Sequence, residues 1–452
     1  MTAPQAENEF NRRDFLKGGS AAALMTLLGG VPLMAEPAAE PATAKAPPKK
    51  VKCAVIGLGA WGREILSTLG RLPQAEIAAI CDTYPAFLRR SAPAAPGALQ
   101  TGDYKTLLSN TDIQAIIVAT PTYQHRDIVL AALQSGKHVY CEAPLAQTVE
   151  DARQIGLAAK ASVKKVFQSG LQMRSDPQRH FLLPFIRSGA VGNPAMIRAQ
   201  WHKKQSWRAA SPNPEREKSM NWRLNKATSL GLLGEIGIHQ LDQAGWFLNA
   251  RPVSVAGFGS ITRWNDGRDV ADTVQAVLEF PRGVRMLYDC TLANSFDAEL
   301  EMYYGSDAAV MLRESKAWLF KEVDSPLLGW EVYARKDAFY KATGIALVAN
   351  ATKLVAQGAK PADEPEAKPP LYFAMEAFLK NANELDAAVE DFVSVFGADD
   401  PAALAEHVSK LNRGPAAGYL EGFQATVTAI KANEAVLSGE RIVLKSEWYE
   451  LT

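Results

Sequence analysis

Residues 51–62 constrain the fold of this chain more than any other segment. An apolar run rich in β-branched residues leads into a Gly-x-Gly-x-x-Gly pattern, and the residues after it predict a helix. Here Gly57 allows a tight turn off a strand, Gly59 lets a pyrophosphate approach the backbone, and Gly62 lets helix and strand pack closely. The free N–H groups at the start of the helix would face the phosphates. The segment therefore predicts the dinucleotide-binding loop of a Rossmann fold.

A second strand and an acidic residue support this interpretation. The apolar run at 77–80 is followed by Cys81 and Asp82, and Asp82 lies 25 residues after Gly57. A carboxylate at this position would accept hydrogen bonds from the ribose hydroxyls of NAD and would repel the 2′-phosphate of NADP. NAD is therefore the expected cofactor, and the residues expected to bind it here are Gly57, Leu58, Gly59, Ala60, Trp61, Gly62 and Asp82.

The first fifty residues have the pattern of a targeting segment and are set aside from the fold. Residues 11–17 contain a twin-arginine pattern, and a mostly apolar stretch follows at 21–34. That stretch is too short, and too often interrupted by Gly and Pro, to insert stably in a membrane. Small residues at 33–35 and 42–44 are candidate cleavage sites. We therefore expect export to the periplasm or beyond through the twin-arginine machinery.

Composition narrows the classes of function. The chain has 452 residues, a formal net charge of zero and 47% apolar residues, which fits a large soluble enzyme of two domains. It has no basic run outside the signal and linker, so nucleic acid is not an expected partner. It has no C-x-x-C or H-E-x-x-H spacing, so no metal site is predicted. The cysteines are expected to be buried core residues rather than disulfide partners; they are Cys53, Cys81, Cys141 and Cys290.

Two patterns divide the rest of the chain. Residues 51–145 alternate between strand and helix patterns, which predicts a parallel sheet. From residue 196 onward strand-like runs are joined by hairpin-like turns, which predicts a mainly antiparallel sheet covered on one face. The predicted fold class is α/β, with a signal and linker at 1–50 and a Rossmann domain at 51–175. A second α/β domain with a large open sheet and C-terminal helices is expected at 176–452.

Several further motifs follow the glycine loop in a fixed order. They are Ala119-Thr120-Pro121, the stretch at 136–142, Asn221-Trp222-Arg223 and the stretch at 234–242. With these motifs the chain resembles the Gfo/Idh/MocA family of sugar and polyol oxidoreductases over residues 50–320. The resemblance implies a Rossmann domain followed by an α/β domain whose open sheet carries the substrate site and often the oligomer interface. It therefore implies a carbohydrate substrate and a homo-oligomer formed through that sheet.

The resemblance also implies which side chains meet the two ligands. Those implied near the cofactor, beyond the glycine loop and Asp82, are Thr120, Pro121, His125, Glu142, Gln172, Trp222 and Arg223. Those implied near the substrate are Lys203, Trp207, Arg174 and Asp242. Tryptophan beside hydrogen-bonding groups, as in the loop at 201–208, suits a carbohydrate. The same loop would equally fit tryptophans that pack against the core.

Two positions depart from the family pattern. Dehydrogenases of the family carry Glu-Lys-Pro where this chain has Ala143 between Glu and Pro, so the lysine beside the reacting hydroxyl is absent. The family's Asp-x-x-x-His pair has Glu235 and His239 here. If Glu235 begins a helix, the two side chains share one face, and the carboxylate can orient the imidazole. Because the unperturbed pKa of His, about 6.5, suits proton transfer, we predict His239 as the catalytic acid/base and Glu235 as its partner.

The missing lysine and the predicted export leave three functions open. An exported enzyme cannot draw on a cytoplasmic NAD pool, so a working dehydrogenase would hold its cofactor tightly. The first hypothesis is such an oxidoreductase acting on a sugar. The second is a redox-neutral glycosidase or lyase, as in NAD-dependent glycosidases that resemble this family, where a sugar carbon, commonly C3, is oxidised transiently and then reduced again. The third is a catalytically silent sugar-binding protein.

Overall fold

The computed structural model describes residues 49–328, 331, 334–339, 342–347, 368–397 and 400–452. The predicted signal and almost all of the linker therefore lie outside the described residues. Within the described part of the chain, none of the helices combines the length and the apolar character needed to cross a membrane.

The first sheet is parallel, with the strand order β3-β2-β1-β4-β5-β6 that is typical of a Rossmann domain. Its strands are β1 (Val51–Ile56), β2 (Ala75–Cys81), β3 (Leu99–Thr101), β4 (Ala115–Val118), β5 (His138–Cys141) and β6 (Phe167–Ser169). Its helices are α1 (Ala60–Leu69), α2 (Pro85–Ser91), α3 (Lys105–Leu108), α4 (His125–Gln134) and α5 (Val149–Ala161). Strands β4 and β5 are buried along their whole length because helices cover both faces of the sheet. The predicted parallel sheet is confirmed.

The second sheet is mainly antiparallel, as predicted, and its described strands run in the order β14-β15-β13-β12-β11-β7-β10-β9-β8-β16. Only the pairing of β7 with β10 is parallel among these strands. The first strands are β7 (Pro194–His202), β8 (Ser254–Ser260), β9 (Thr273–Glu279), β10 (Arg285–Thr291) and β11 (Glu299–Gly305). The others are β12 (Ala308–Arg313), β13 (Lys316–Lys321), β14 (Lys336–Phe339), β15 (Ala342–Leu347) and β16 (Ile442–Val443). Burial alternates along β9, so one face of the sheet is covered and the other is open.

Helices cover the buried face of this second sheet. Apart from α7 (Pro214–Met220), which has no buried residue, the helices of this domain that form the layer are α6 (Pro177–Arg187), α8 (Gly231–Glu235), α9 (Ile238–Leu248) and, near the end of the chain, α12 (Tyr419–Ser438). The last of these helices contacts both domains, since it packs against α5 and β6 as well as against β8 and α9. Its Thr426 hydroxyl accepts a hydrogen bond from the Leu145 amide at 2.9 Å. The two domains therefore share one buried helix along the cleft between them.

Helices α10 (Pro370–Phe396) and α11 (Pro401–Ser409) return to the Rossmann domain, so the predicted boundary after residue 175 does not assign all later residues correctly. Met375 and Phe378 share a buried apolar cluster with Cys53 of β1. Asp386 of α10 pairs with the Lys165 ammonium at 2.7 Å and with His138 Nε2 at 3.0 Å. The apolar face of α10 covers a face of the parallel sheet that would otherwise be exposed. All four cysteines are free and buried, as predicted.

Candidate functional site

The glycine loop has the geometry that its sequence predicts. Gly57 has a φ of +94°, and a Cβ there would lie 2.6 Å from the Ala119 carbonyl oxygen. A Cβ at Gly62 would lie 1.8 Å from the Gly57 oxygen, so helix α1 can approach β1 only with glycine at this position. A Cβ at Gly59 would meet nothing within 4 Å. The bare backbone of Gly59 therefore faces open space, as close approach of a pyrophosphate requires.

Asp82 lies at the end of β2 and holds the glycine loop. Its Oδ2 accepts a hydrogen bond from the Leu58 amide at 2.8 Å, and its Oδ1 accepts one from the Tyr84 amide at 2.7 Å. A carboxylate oxygen has two acceptor positions, so each oxygen can still accept a bond from a ribose hydroxyl. Asp82 thus both shapes the loop and remains available to a nucleotide.

Buried polar atoms without hydrogen-bond partners gather where the parallel strands end. Among the described residues they include Thr120 Oγ1 after β4, Glu142 Oε1 after β5, Gln172 Oε1 after β6 and His239 Nδ1 at the start of α9. Such atoms are uncommon in folded proteins, and the carboxyl edge of a parallel sheet is where α/β folds bind their ligands. With the open backbone of Gly59, these atoms fit a dinucleotide together with a second molecule beside it.

His125 is buried between two loops. Its Nδ1 lies 3.0 Å from the Pro144 carbonyl oxygen and its Nε2 lies 2.9 Å from the Thr120 carbonyl oxygen. Burial lowers its pKa against the effect of these carbonyl groups, and a neutral imidazole can donate to only one of them. His125 therefore joins the loops after β4 and β5, and its predicted contact with the cofactor would have to act through them.

Glu142 follows β5 at the bottom of the cleft. Burial raises its pKa to about 7, although the polar groups of Trp61 and Tyr140 oppose that rise. A Cβ at residue 170 would lie 2.5 Å from Glu142 Oε2, so Gly170 makes room for the carboxyl group. A carboxyl group with this pKa can hold or release a proton near neutral pH.

The predicted pairing of Glu235 with His239 on one helix is wrong. The helix is interrupted at residues 236–237, and α9 begins at Ile238. Glu235 Oε1 accepts from the Leu230 amide at 3.0 Å, and Oε2 accepts from the Thr122 hydroxyl at 3.0 Å. Glu235 therefore joins the second domain to the loop after β4, and its carboxylate does not orient the imidazole.

His239 lies at the start of α9 and is not paired with Glu235. Its Nδ1 is buried without a hydrogen-bond partner among the described residues, and burial lowers its pKa to about 4. Its neighbour Ile238 belongs to a small apolar cluster against which Ala143 packs. The methyl group at residue 143, where the family has lysine, therefore lies beside the segment that carries the candidate base.

Arg223 brings a cation into the same region. Its guanidinium makes no hydrogen bond or ion pair with the described residues, and its Cζ lies 4.5 Å from the ring centre of Trp222 and 5.7 Å from that of Trp207. Burial lowers its pKa, whereas the charges of Glu235 and Glu142 raise it. A desolvated cation with aromatic neighbours but no direct partner is costly, so this guanidinium is suited to bind an anionic or oxygen-rich ligand.

The residues predicted to bind substrate are not gathered in one place. Arg174 and Asp242 bind each other, with Nε to Oδ2 at 2.8 Å and Nη2 to Oδ1 at 2.9 Å. Lys203 is exposed at the end of β7, and Trp207 is half-buried against the core. Trp207 lies against the guanidinium of Arg223, with Cζ 5.7 Å from the ring centre. No group of three or more metal-ligating side chains occurs in the described part of the chain.

We expect Asp242→Ala to destabilise the protein by about 3–5 kcal/mol, because it leaves the Arg174 guanidinium buried without its partner. Urea unfolding measures the loss. The double variant Arg174→Met/Asp242→Leu, which removes both charges, is expected to recover most of it. A stable Asp242→Ala protein with a raised KM for its substrate would instead support the predicted substrate contact.

Thr122, which the sequence did not single out, fastens the second domain to the first. Its hydroxyl donates to Glu235 from a position 113 residues earlier in the chain. No local pattern marks such a residue. Its place directly after Pro121, in the loop that follows β4, would still have justified including it among the predicted site residues.

Comparison with known proteins places both domains in one family. Residues 51–170 match the model of the "Oxidoreductase family, NAD-binding Rossmann fold", and residues 184–310 match the "GFO/IDH/MocA C-terminal domain". Residues 9–29 match the signal sequence of the twin-arginine translocation pathway, which indicates export by that route. The first domain is therefore an NAD-binding Rossmann domain, as the sequence predicts.

Named relatives include sugar and polyol dehydrogenases. The chain is 28% identical over 201 residues to inositol 2-dehydrogenase of Salmonella paratyphi B, covering 44% of this chain and 55% of the relative. It is 28% identical over 204 residues to levoglucosan dehydrogenase of Pseudarthrobacter phenanthrenivorans, covering 40% of this chain and 50% of the relative. The matched stretch thus spans about half the length of each relative.

A solved structure of levoglucosan dehydrogenase in complex with NADH has the same fold. It superposes with a TM-score of 0.65 at 18% identity, over 88% of this chain and 100% of the other.

Proposed function

The chain belongs to the Gfo/Idh/MocA family of oxidoreductases, and from this premise we propose that it is an exported, NAD-dependent oxidoreductase acting on a sugar-like substrate. The observation that carries the proposal is the buried, unpartnered Nδ1 of His239, next to Ile238, whose apolar cluster packs against Ala143 after β5. The relatives named as inositol and levoglucosan dehydrogenases support a polyhydroxylated substrate.

The residues of the cleft have distinct roles in this proposal. NAD, bound along the glycine loop and Asp82, would supply the hydride-transfer chemistry. Burial lowers the pKa of His239 to about 4, so the imidazole is neutral at pH 7 and can accept the proton of a substrate hydroxyl, although as a weaker base than an unshifted histidine. Arg223 is suited to bind a substrate oxygen or a cofactor phosphate, and Glu235 keeps the loop after β4 in place through Thr122.

Tight retention of the cofactor is part of the proposal. An exported protein meets no cytoplasmic pool of NAD, so a cofactor that exchanged freely would be lost after one turnover. A bound cofactor would have to be restored in place by a second substrate, or the reaction would have to return its hydride in the same cycle.

The second of these routes, a redox-neutral glycosidase or lyase reaction, is favoured by one observation. Ala143 stands where the family's dehydrogenases have lysine, and its methyl group packs on an apolar cluster with Ile238. The site therefore lacks an ammonium group that would assist simple oxidation. We expect Ala143→Lys not to accelerate glycoside cleavage, and any gain in simple dehydrogenation would mark the reaction that the alanine disfavours.

We further propose that the protein is a homo-oligomer formed through the open face of the second sheet. Apolar side chains on neighbouring strands of this face are exposed, namely Phe258, Val277, Leu287 and Met196. Their positions in adjoining strands support one continuous surface, and apolar patches of this kind mark protein interfaces.

The test of the proposed function is purification of the exported protein followed by identification of its cofactor. We expect NAD(H) to remain bound through gel filtration, and the absorbance of the bound nicotinamide near 340 nm to change when the correct sugar is added. Release of an aglycone from an aryl glycoside without net reduction would establish the redox-neutral reaction. A protein that binds sugars but shows neither response would be the silent binding protein.

A further inference from the structure

Arg216 of the second domain reaches across the cleft to the Rossmann domain. Its Nη1 donates to the Thr83 hydroxyl at 3.1 Å, and its Nη2 donates to the Thr83 carbonyl oxygen at 3.0 Å. Its Cζ also lies 4.7 Å from the centre of the Tyr84 ring. Thr83 and Tyr84 directly follow Asp82, so this contact is made beside the place where the ribose of the cofactor is expected.

The helix that carries Arg216 is firmly held. Asn213 caps α7 by accepting from the Arg216 amide at 2.9 Å, and Pro214 occupies the first turn. The Glu217 carboxylate accepts from the Ser211 amide and from Arg208 Nη2, at 3.2 and 3.3 Å. Because these contacts are local to the segment, the loop and helix can act as one unit whose contact with Thr83 is made by a single side chain.

On the Rossmann side of the contact, Tyr84 is itself packed against neighbouring side chains. The rings of Tyr84 and Phe87 pack edge to face with their centres 5.0 Å apart, and Arg63 of α1 lies over Phe87 at 5.6 Å. The row from Arg216 to Arg63 therefore runs from the second domain to the helix that follows the glycine loop, and Asp82 lies beside it. A cavity of about 580 Å³ lies between α7 and Tyr123, so the same helix also forms a wall of the cleft.

We propose that Arg216 is a clasp that slows the release of NAD(H), by closing the adenosine end of the site between α7 and the loop after β2. This inference rests on the proposed function, and it gives a structural reason for cofactor retention after export. The side chain is half-buried and its partners are a hydroxyl, a carbonyl group and a ring, so each contact is weak and can open without unfolding of either domain.

The test is the rate at which NADH leaves the full-length mature protein. The protein is loaded with NADH and mixed with a large excess of NAD⁺, and the loss of bound-NADH fluorescence is followed. We expect Arg216→Ala to accelerate release about tenfold, since it removes a cation–π contact and two hydrogen bonds from a charged donor. Arg216→Lys keeps the charge but lacks the planar group that donates to Thr83 twice. We expect its rate of NADH release to lie between those of the wild type and Arg216→Ala.

Arg89 provides the matched control. It is exposed on the neighbouring helix α2 and forms no hydrogen bond or ion pair with the described residues. Arg89→Ala removes a positive charge from the helix that follows Asp82, and we expect it to release NADH at the wild-type rate. Thermal unfolding of the cofactor-free proteins is expected to be the same for wild type and Arg216→Ala, which separates loss of the clasp from loss of the fold.

The outcomes separate the clasp from the function on which it rests. Release from Arg216→Ala within twofold of the wild-type rate would overturn the clasp while leaving an NAD-binding enzyme intact, and so would equal acceleration by Arg89→Ala. A wild-type protein that takes up no NADH would overturn both proposals together.

Discussion

His239→Ala is expected to lower turnover on the identified sugar by about two to four orders of magnitude, the range for loss of a general acid or base. Binding of NADH is expected to be nearly unchanged, because the glycine loop lies in the other domain. The variant should fold normally, since the Nδ1 of His239 has no hydrogen bond to lose. Single-turnover absorbance at 340 nm and NADH titration measure the two effects.

A matched control is His407→Ala, which removes an exposed imidazole from α11 and is expected to keep wild-type turnover. Wild-type turnover by His239→Ala would remove the assigned role.

The pH profile gives an independent check of the same residue. Because His239 acts as a base only when neutral, and its pKa is lowered to about 4, kcat/KM of the wild type should fall as the pH drops through about 4. This decline in kcat/KM should be absent from the residual activity of His239→Ala. A fall near pH 7 that remains in His239→Ala would instead come from Glu142, whose pKa burial raises to about 7.

Gly59→Ala is expected to lose affinity for the cofactor, whereas Gly62→Ala is expected to lose stability. Gly59 has φ −59° and ψ −168°, at the edge of the extended region, so its negative φ does not require glycine, and a Cβ there would meet nothing within 4 Å. We expect the cofactor-free Gly59→Ala protein to keep its stability within about 0.5 kcal/mol while NADH binds about 100-fold more weakly, since the methyl group occupies space needed by the pyrophosphate. Thermal unfolding and NADH titration measure the two quantities.

Gly62→Ala should instead lose stability before any ligand is added. Its Cβ would lie 1.8 Å from the Gly57 oxygen, so α1 would have to move away from β1. We expect the free energy of unfolding to fall by at least about 3 kcal/mol, or the protein not to fold.

For Gly59→Ala, an unchanged NADH affinity would show that the cofactor does not approach the backbone at that point.

Local patterns were sufficient for the cofactor half of the site. The run from β1 through Gly62 combines a strand, a turn and a helix within a few residues, and nearby backbone atoms leave no room for a Cβ at Gly57 or Gly62. The alternation of buried and exposed residues along β9 likewise predicts a sheet covered on one face. These features follow from sequence because neighbouring residues determine them.

Contacts between distant residues could not be predicted in the same way. Glu235 binds Thr122, 113 residues away, and that bond replaces the predicted pairing with His239. Arg174 binds Asp242 across 68 residues, and Arg216 reaches Thr83 across 133. A charged side chain at a suitable spacing is consistent with many partners, and only the packing of the two domains selects one of them.

The helical periodicity of α10 was also insufficient for its placement. An apolar stripe shows that a helix is covered on one side, but it does not show which sheet covers it. The packing of α10 against β1 through Met375 and Phe378 is therefore known only from the structure.

The turn between β12 and β13 also lacks a sequence signal. It has two residues, and Glu314 in it has a φ of +54°, without the glycine that would have marked a turn there.

In the proposed function, hydride moves between a carbon of the sugar and the nicotinamide held by this chain. The most direct measurement uses a substrate deuterated at its reacting carbon, followed by mass spectrometry of the cofactor released from the protein. We predict deuterium in the reduced cofactor when the reaction is quenched after the oxidation step, and its transfer from the cofactor to the product by the end of the cycle if the reaction is redox-neutral. Turnover of the substrate with no deuterium ever found in the cofactor would rule out hydride transfer by this protein.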